Sequence, residues 1–200
     1  MTSCAIPQKA AGCGPSDFGQ CRTLKEMVDL FLSDRSDRPE RERAWWGDPE
    51  LSVQDACMRA MFTLEGERER DGHQWVFAKA DLRAMGAQIA AQAGSLEAEK
   101  TFRGLYRGVE QALGLGLNRK PLLVYDVARR LGYRFGHDPE EVYLHAGPKI
   151  GAEALRRGLG RPRTRSLAEF PTSIRARLTP AQAEDFLCLT ATHLNAGLWD

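Results

Sequence analysis

The fifteen residues from Pro121 to Phe135, PLLVYDVARRLGYRF, constrain the fold more than any other part of the chain. Leu122, Leu123, Val127, Leu131 and Phe135 recur at helical spacing, and so apolar a helix can be buried only at the centre of a fold. Such a helix needs partners, and the chain supplies them. Its hydrophobic residues make up 42% and its charged residues 28% of the 200, ordinary proportions for a globular protein with a sizeable core.

The neighbouring segments repeat the helical period and carry their own start signals. Leu24, Met27, Val28, Phe31 and Leu32 form one face of a helix over Thr23 to Ser33. Ser52 caps a helix bearing Val53, Ala56, Cys57, Ala60 and Met61, which ends before Gly66. Asp81 to Ala93 is alanine-rich and helical, and Ser95 is expected to cap a longer helix carrying Leu96, Phe102, Leu105, Tyr106, Val109 and Leu113. Thr179, Pro180 and Gln182 form a capping box ahead of Ala183, Phe186, Leu187, Thr190 and Leu194. Between these, SDRSDRPERER reads as a solvated connection or exposed helix start, because its acids and bases cancel. Of Trp45 and Trp46, one is expected to anchor the core. Trp75 and Phe77 suggest one short strand without a partner, and Ser166 to Leu178 a linker. The expectation is an all-α, compact multi-helix fold: an irregular lead over residues 1–20, then a single helical domain over 21–200.

Composition narrows the function classes. The formal net charge is +1, so a nucleic-acid partner must be argued from local charge. No apolar run approaches the roughly 20 residues of a membrane span, and the N-terminus lacks the apolar core of a secretory signal. A cytoplasmic protein of prokaryotic type, with no membrane partner, is expected. Cys4, Cys13 and Cys21 are spaced nine and eight apart, which fits neither a zinc knuckle nor a disulfide framework. Cys57 and Cys188 fall on apolar faces as small buried hydrophobes. No metal and no cofactor is therefore expected, and the GLG of GLGLNRK lacks the preceding strand of a nucleotide loop.

The stretch DPEEVYLHAGPKIGAEAL, Asp138 to Leu155, carries the most chemistry. Asp138, Pro139 and Glu141 read as cap, first-turn proline and capping box of a short helix; Gly147 and Pro148 then read as a turn, after which a second helix resumes. Backbone N–H groups at the start of a helix, with Lys149 beside them, attract phosphate. An ordinary corner of a helical core is the alternative. Carried by Gly147, Pro148, Lys149, Ile150, Ala154 and Leu155, this segment resembles the hairpin and second helix of a helix-hairpin-helix motif, a non-sequence-specific DNA-binding element of many repair proteins. His145 stands where that motif generally has its first glycine. The resemblance implies phosphate binding through the amides of residues 147 to 151, Gly147, Lys149 and Gly151 among them.

Directly after it comes RRGLGRPRTRS, with Arg156, Arg157, Arg161, Arg163 and Arg165. With Lys149 this makes six cations against Glu153 alone over residues 147 to 165. Arginine forks suit phosphate oxygens, and the glycines and prolines would keep the loop extended and adaptable. If all six met phosphates, the log–log salt slope would be on the order of −5. A solvated loop salt-bridged to the chain's acids is the alternative.

Two residues stand out for catalysis. Asp126 lies in the apolar helix, where a carboxylate must face solvent or be paired; helix-hairpin-helix glycosylases also use an aspartate, but it follows their hairpin, whereas Asp126 precedes this one. His145 sits beside Tyr143 and Lys149, where a proton shuttle or phosphate ligand would be useful. Nucleic-acid binding, with DNA as the first candidate, is the leading expectation. An enzyme acting on nucleic acid or nucleotides through Asp126 and His145, and a helical protein-interaction domain, stand beside it. Asp126, His145 and Lys149 around one pocket would favour the enzyme.

Overall fold

The computed structural model describes residues 18–62, 77–114 and 120–194. Residues 1–17 of the lead expected over 1–20, with Cys4 and Cys13, lie outside these residues, as do His73, Trp75 and most of the GLGLNRK turn, whereas Phe18–Gln20 form a 3₁₀ turn with Phe18 buried. The fold is all-α, and two two-residue strands form its one described sheet.

Helices α1 (Leu24–Asp34), α2 (Arg38–Trp46) and α3 (Val53–Arg59) come first, then α4 (Lys79–Ala90), α5 (Ala93–Glu97) and α6 (Phe102–Ala112). The apolar helix α7 (Pro121–Phe135) leads to strand β1 (Val142–Tyr143), helix α8 (Ala146–Leu155) and strand β2 (Thr164–Arg165). Short α9 (Thr172–Arg175) and α10 (Pro180–Thr190) complete the described chain. The local signals explain most starts. Thr23 and Glu26 close a capping box on α1, Ser52 accepts from the Asp55 amide on α3, and Thr179 with Gln182 closes the box on α10.

Two buried clusters organise the packing. One gathers α3 to α7 around Met61, Phe102, Leu105, Val124, Tyr125 and Leu131; the other gathers α1, α8, α9 and α10 around Phe31, Leu155, Ile174, Phe186 and Leu187. Strand β1 joins them. Tyr143 belongs to the first cluster, whereas Val142 and Leu144 belong to the second, because a strand sends successive side chains to opposite faces.

That double duty overrides the cap signal at Asp138. Gly136, in the left-handed region at φ 74°, ends α7, and residues 138–141 stay irregular. Val142 and Tyr143 then pair antiparallel with Arg165 and Thr164. A helix starting at Pro139 could not have fed both cores.

The turn expected at GPKIG is also absent: the whole of AGPKIGAEAL is helix, with Pro148 tolerated in its first turn. The glycines serve packing. A Cβ on Gly147 would lie 2.6 Å from Cys188 Sγ, and one on Gly151 would collide with the Leu187 carbonyl. Gly147 and Gly151, one turn apart, thus let α8 lie close against α10. Residues 138–155 form a strand and a single helix, not two helices around a hairpin.

Other expectations are corrected too. The helix expected from Ser95 breaks at residues 98–101, and α6 starts afresh with Thr101 accepting from the Gly104 amide. Leu122 and Phe135 are half-buried, and Cys188 is exposed where Cys57 is buried. The linker holds a 3₁₀ turn at Leu167–Glu169, closed by its own capping box on Ser166, and α9. Trp46 is the buried member of the tryptophan pair, stacked on Tyr133 at 6.3 Å between ring centroids.

Candidate phosphate-binding cleft

A cleft of about 530 Å³ opens between α6, the start of α7, β1, the start of α8 and the chain entering β2. That volume suits a nucleotide-sized group. Its cations come from three elements: Arg103 and Arg107 from α6, Lys149 from α8, and Arg163 from the loop. Arg103 and Arg107 lie one helical turn apart, so they share a face. Glu110 is the acid of the lining, and Glu141 lies beside it, 2.6 Å from the Arg103 guanidinium.

Tyr106 and Tyr143 form an aromatic wall, their centroids 5.0 Å apart, and Tyr143 also meets Phe102 at 5.3 Å and Tyr125 at 5.2 Å. Burial, helped by the Glu140 charge, pushes the Tyr143 phenol far above its ordinary range; burial and Glu110 raise that of Tyr106. Both phenols therefore remain neutral O–H donors at any ordinary pH, suited to an anionic ligand.

The N-terminus of α8 borders the same cleft through His145, Ala146 and Lys149. Lys149 N–H donates to the His145 carbonyl at 2.9 Å, and Pro148 has no N–H. The first-turn amides of Ala146 and Gly147 have no acceptor within the helix, as at any helix start, and the helix dipole makes them attractive to an anion.

His145 is one of the buried residues of this lining, with its side chain 2% exposed. Nε2 lies 3.0 Å from Glu184 Oε1, an ion-pair distance, though the ring N–H is not aimed straight at the oxygen. Nδ1 has no hydrogen-bond partner among the described residues. Behind Glu184 stands a charge network. Arg129 meets Asp185 at 2.9 Å, Glu42 at 3.1 Å and Glu184 at 3.9 Å; Tyr133 O–H donates to Glu42 at 2.8 Å, and Arg38 Nε donates to Glu42 at 2.6 Å. Burial pushes the Glu184 carboxyl above the usual range against the pull of His145 and Arg129, whereas Arg129 holds Asp185 below it.

The residues expected from sequence divide sharply. Lys149, His145 and Arg163 meet at the cleft. Asp126 is half-buried on α7 and is not part of the lining. Gly147 and Gly151 are committed to helix packing, Gly151 having no solvent access to speak of. The arginine loop is folded, not adaptable: the Glu153 carboxylate accepts from the amides of Gly158 at 2.9 Å and Gly160 at 3.2 Å. Arg165 is fully engaged inside the protein, donating to the Leu159 and Gly158 carbonyls and pairing with Glu169 at 2.7 Å. Arg156 donates to the Glu169 carbonyl at 3.4 Å, and Arg157 and Arg161 are exposed outside the cleft.

Sequence reasoning missed Arg103, Arg107, Tyr106 and Glu184. A signal existed for the last: Glu184 stands one turn from Pro180 and three residues before Leu187, an acid on the buried side of α10. Arg103 and Arg107 gave none, since paired arginines on an amphipathic helix are ordinary. Glu42, read as solvated, is 3% exposed because α2 packs along α7 and delivers it to Arg129.

Among the described residues no group of three or more histidines, cysteines or acids could hold a metal ion, and no helix is long and apolar enough to cross a membrane. No family model matches the sequence, and comparison with curated proteins and with solved structures found no match.

Proposed function

We propose that the protein binds nucleic acid by its phosphates at this cleft, with Arg103, Arg107, Lys149 and Arg163 as the phosphate-facing cations and Tyr106 as a ring for a base or sugar. One observation carries the reading. A chain with a net charge of only +1 brings four cations from three elements around one hollow whose lining holds a single acid. The folded start of α8 adds the Ala146 amide and the favourable end of its dipole. Four phosphate contacts predict a log–log salt slope of about −3 on a single strand.

The test is fluorescence anisotropy with labelled single- and double-stranded DNA of equal sequence, across salt. Wild type is expected to bind with that slope, and Lys149→Ala combined with Arg163→Ala to weaken binding and flatten the slope by between about 1 and 2. Absence of binding at low salt, or an unaltered slope in the variant, contradicts the reading.

A second reading, an enzyme acting on a nucleotide-bearing substrate, is favoured by one specific contact: His145 lies in the cleft wall 3.0 Å from the Glu184 carboxylate, an imidazole and an acid within reach of each other. Glu184 takes the place that the sequence had suggested for Asp126. Incubating saturated complex and resolving the strand on a gel decides it, since a pure binding protein returns the strand intact.

A further inference from the structure

We infer that the cleft takes an unpaired strand, with a base laid on the Tyr106 ring and the strand's phosphates on the cations around it, and that duplex is disfavoured there. This rests on the nucleic-acid reading and deepens it by naming the form of the nucleic acid.

The depth at which each side chain sits carries the argument. Arg103, Arg107, Lys149 and Arg163 are exposed, Tyr106 is half-buried, and Tyr143 and Leu144 are buried. The hollow is therefore cationic at its rim and aromatic within. A duplex presents the reverse order, since its phosphates lie outside and its base faces are stacked on one another. Only a nucleotide released from the stack can send a base inward while its phosphates stay at the rim. The volume of about 530 Å³ admits a group of that size, whereas a duplex meets the hollow only across its mouth.

Local sequence builds one wall. Arg103, Tyr106, Arg107 and Glu110 follow at intervals of three, one and three residues, so they share one face of α6. The adjoining face, Phe102, Leu105 and Val109, is fully buried and fixes the helix. Tyr106 thus lies within one turn of both arginines, and Arg103 is steadied by Glu141, 2.6 Å from Nη2. Rings set among cations in a groove are the means by which single strands are held without regard to sequence.

The ring is also held ready. Tyr106 lies 5.0 Å from Tyr143 between centroids, and Tyr143 in turn meets Phe102 at 5.3 Å and Tyr125 at 5.2 Å. A ring backed by three others has little freedom left to lose when a base settles on it.

Fluorescence anisotropy of the wild type with three oligomers of equal length tests this. They are a single DNA strand, the same strand annealed to its complement, and an abasic oligomer carrying the same phosphates without bases. The single strand is expected to bind roughly tenfold more tightly than either of the others. Tyr106→Ala should bring the single strand down to the level of the abasic oligomer with the salt slope of the wild type. Tyr106→Phe should keep the preference, because the ring and not the phenol meets the base. The wild-type comparison decides alone if Tyr106→Ala fails to fold. Duplex or abasic oligomer bound as tightly as the single strand overturns this inference and leaves the phosphate reading intact, as does a preference that survives in Tyr106→Ala. Binding of none of the three at low salt overturns both.

Discussion

Two regions of opposite design meet at His145. On one side, Arg129 is enclosed by the carboxylates of Glu42, Glu184 and Asp185 and shielded by Tyr133. On the other, Arg103, Arg107, Lys149 and Arg163 surround an open hollow with Glu110 in its lining and Glu141 at its side. The inner side surrounds its cation with three acids, Glu42 and Glu184 buried and Asp185 half-buried. The cleft gathers four cations around one lining acid, with Arg103 paired to Glu141 at its side. The difference separates charges that are paired in the interior from charges gathered around an open hollow, a distinction that counting arginines along the chain cannot make.

Breaking the closed side should have the largest effect. Arg129→Met leaves the buried carboxylates of Glu42 and Glu184, and the half-buried Asp185, without their shared cation, and a loss on the order of 3–5 kcal/mol in unfolding free energy is expected from denaturant titration. Stability close to that of the wild type would mean that the network is solvated and that the contrast with the cleft is false.

Gly151→Ala sharpens the comparison by moving the boundary between the regions. Its methyl would meet the Leu187 backbone, forcing α8 away from α10 and His145 away from Glu184. Overpacking of this kind costs about 1–3 kcal/mol, readable as a lowered thermal midpoint. An unchanged midpoint would mean that α8 and α10 are not in close contact.

The smallest effect concerns a group remote from both regions. Burial, with a lesser contribution from Glu97, pushes the Cys57 thiol from 9.0 up to about 11. The folded form keeps its proton where the unfolded form loses it. Stability from this source is therefore full below pH 9, and is lost as pH rises from there toward about 11. Denaturation of wild type and Cys57→Ala over that range should differ in slope by up to roughly 2 kcal/mol in total. Parallel curves would place the thiol in water.

Legibility in the sequence followed the range of the interaction. The apolar face of the helix from Thr23, the box at Thr179 and the apolar stripe of α7 are settled within one or two turns, and they were readable. Asp138 and Pro139 carried an equally good cap signal, yet the strand formed, because Val142, Tyr143 and Leu144 had to serve two cores that only the folded chain contains. Gly147 and Gly151 were read as turn residues for the same reason. A glycine that admits a neighbouring helix is indistinguishable, in sequence, from one that ends its own. Of the cleft, Lys149, His145 and Arg163 were visible because they cluster in sequence, whereas Arg103 and Arg107 reach it from some forty residues upstream. Arg165 illustrates the converse: it belonged to the right charge run and is consumed by Leu159, Gly158 and Glu169.

The most direct test of the cleft as the binding site is to titrate isotopically labelled protein with a short phosphorylated oligonucleotide and map the backbone shifts. Changes concentrated at Arg103–Arg107, His145–Lys149 and Arg163 are the expected result. Changes concentrated instead at Arg156, Arg157 and Arg161, with the cleft unmoved, would contradict it and return the site to the exposed arginine loop.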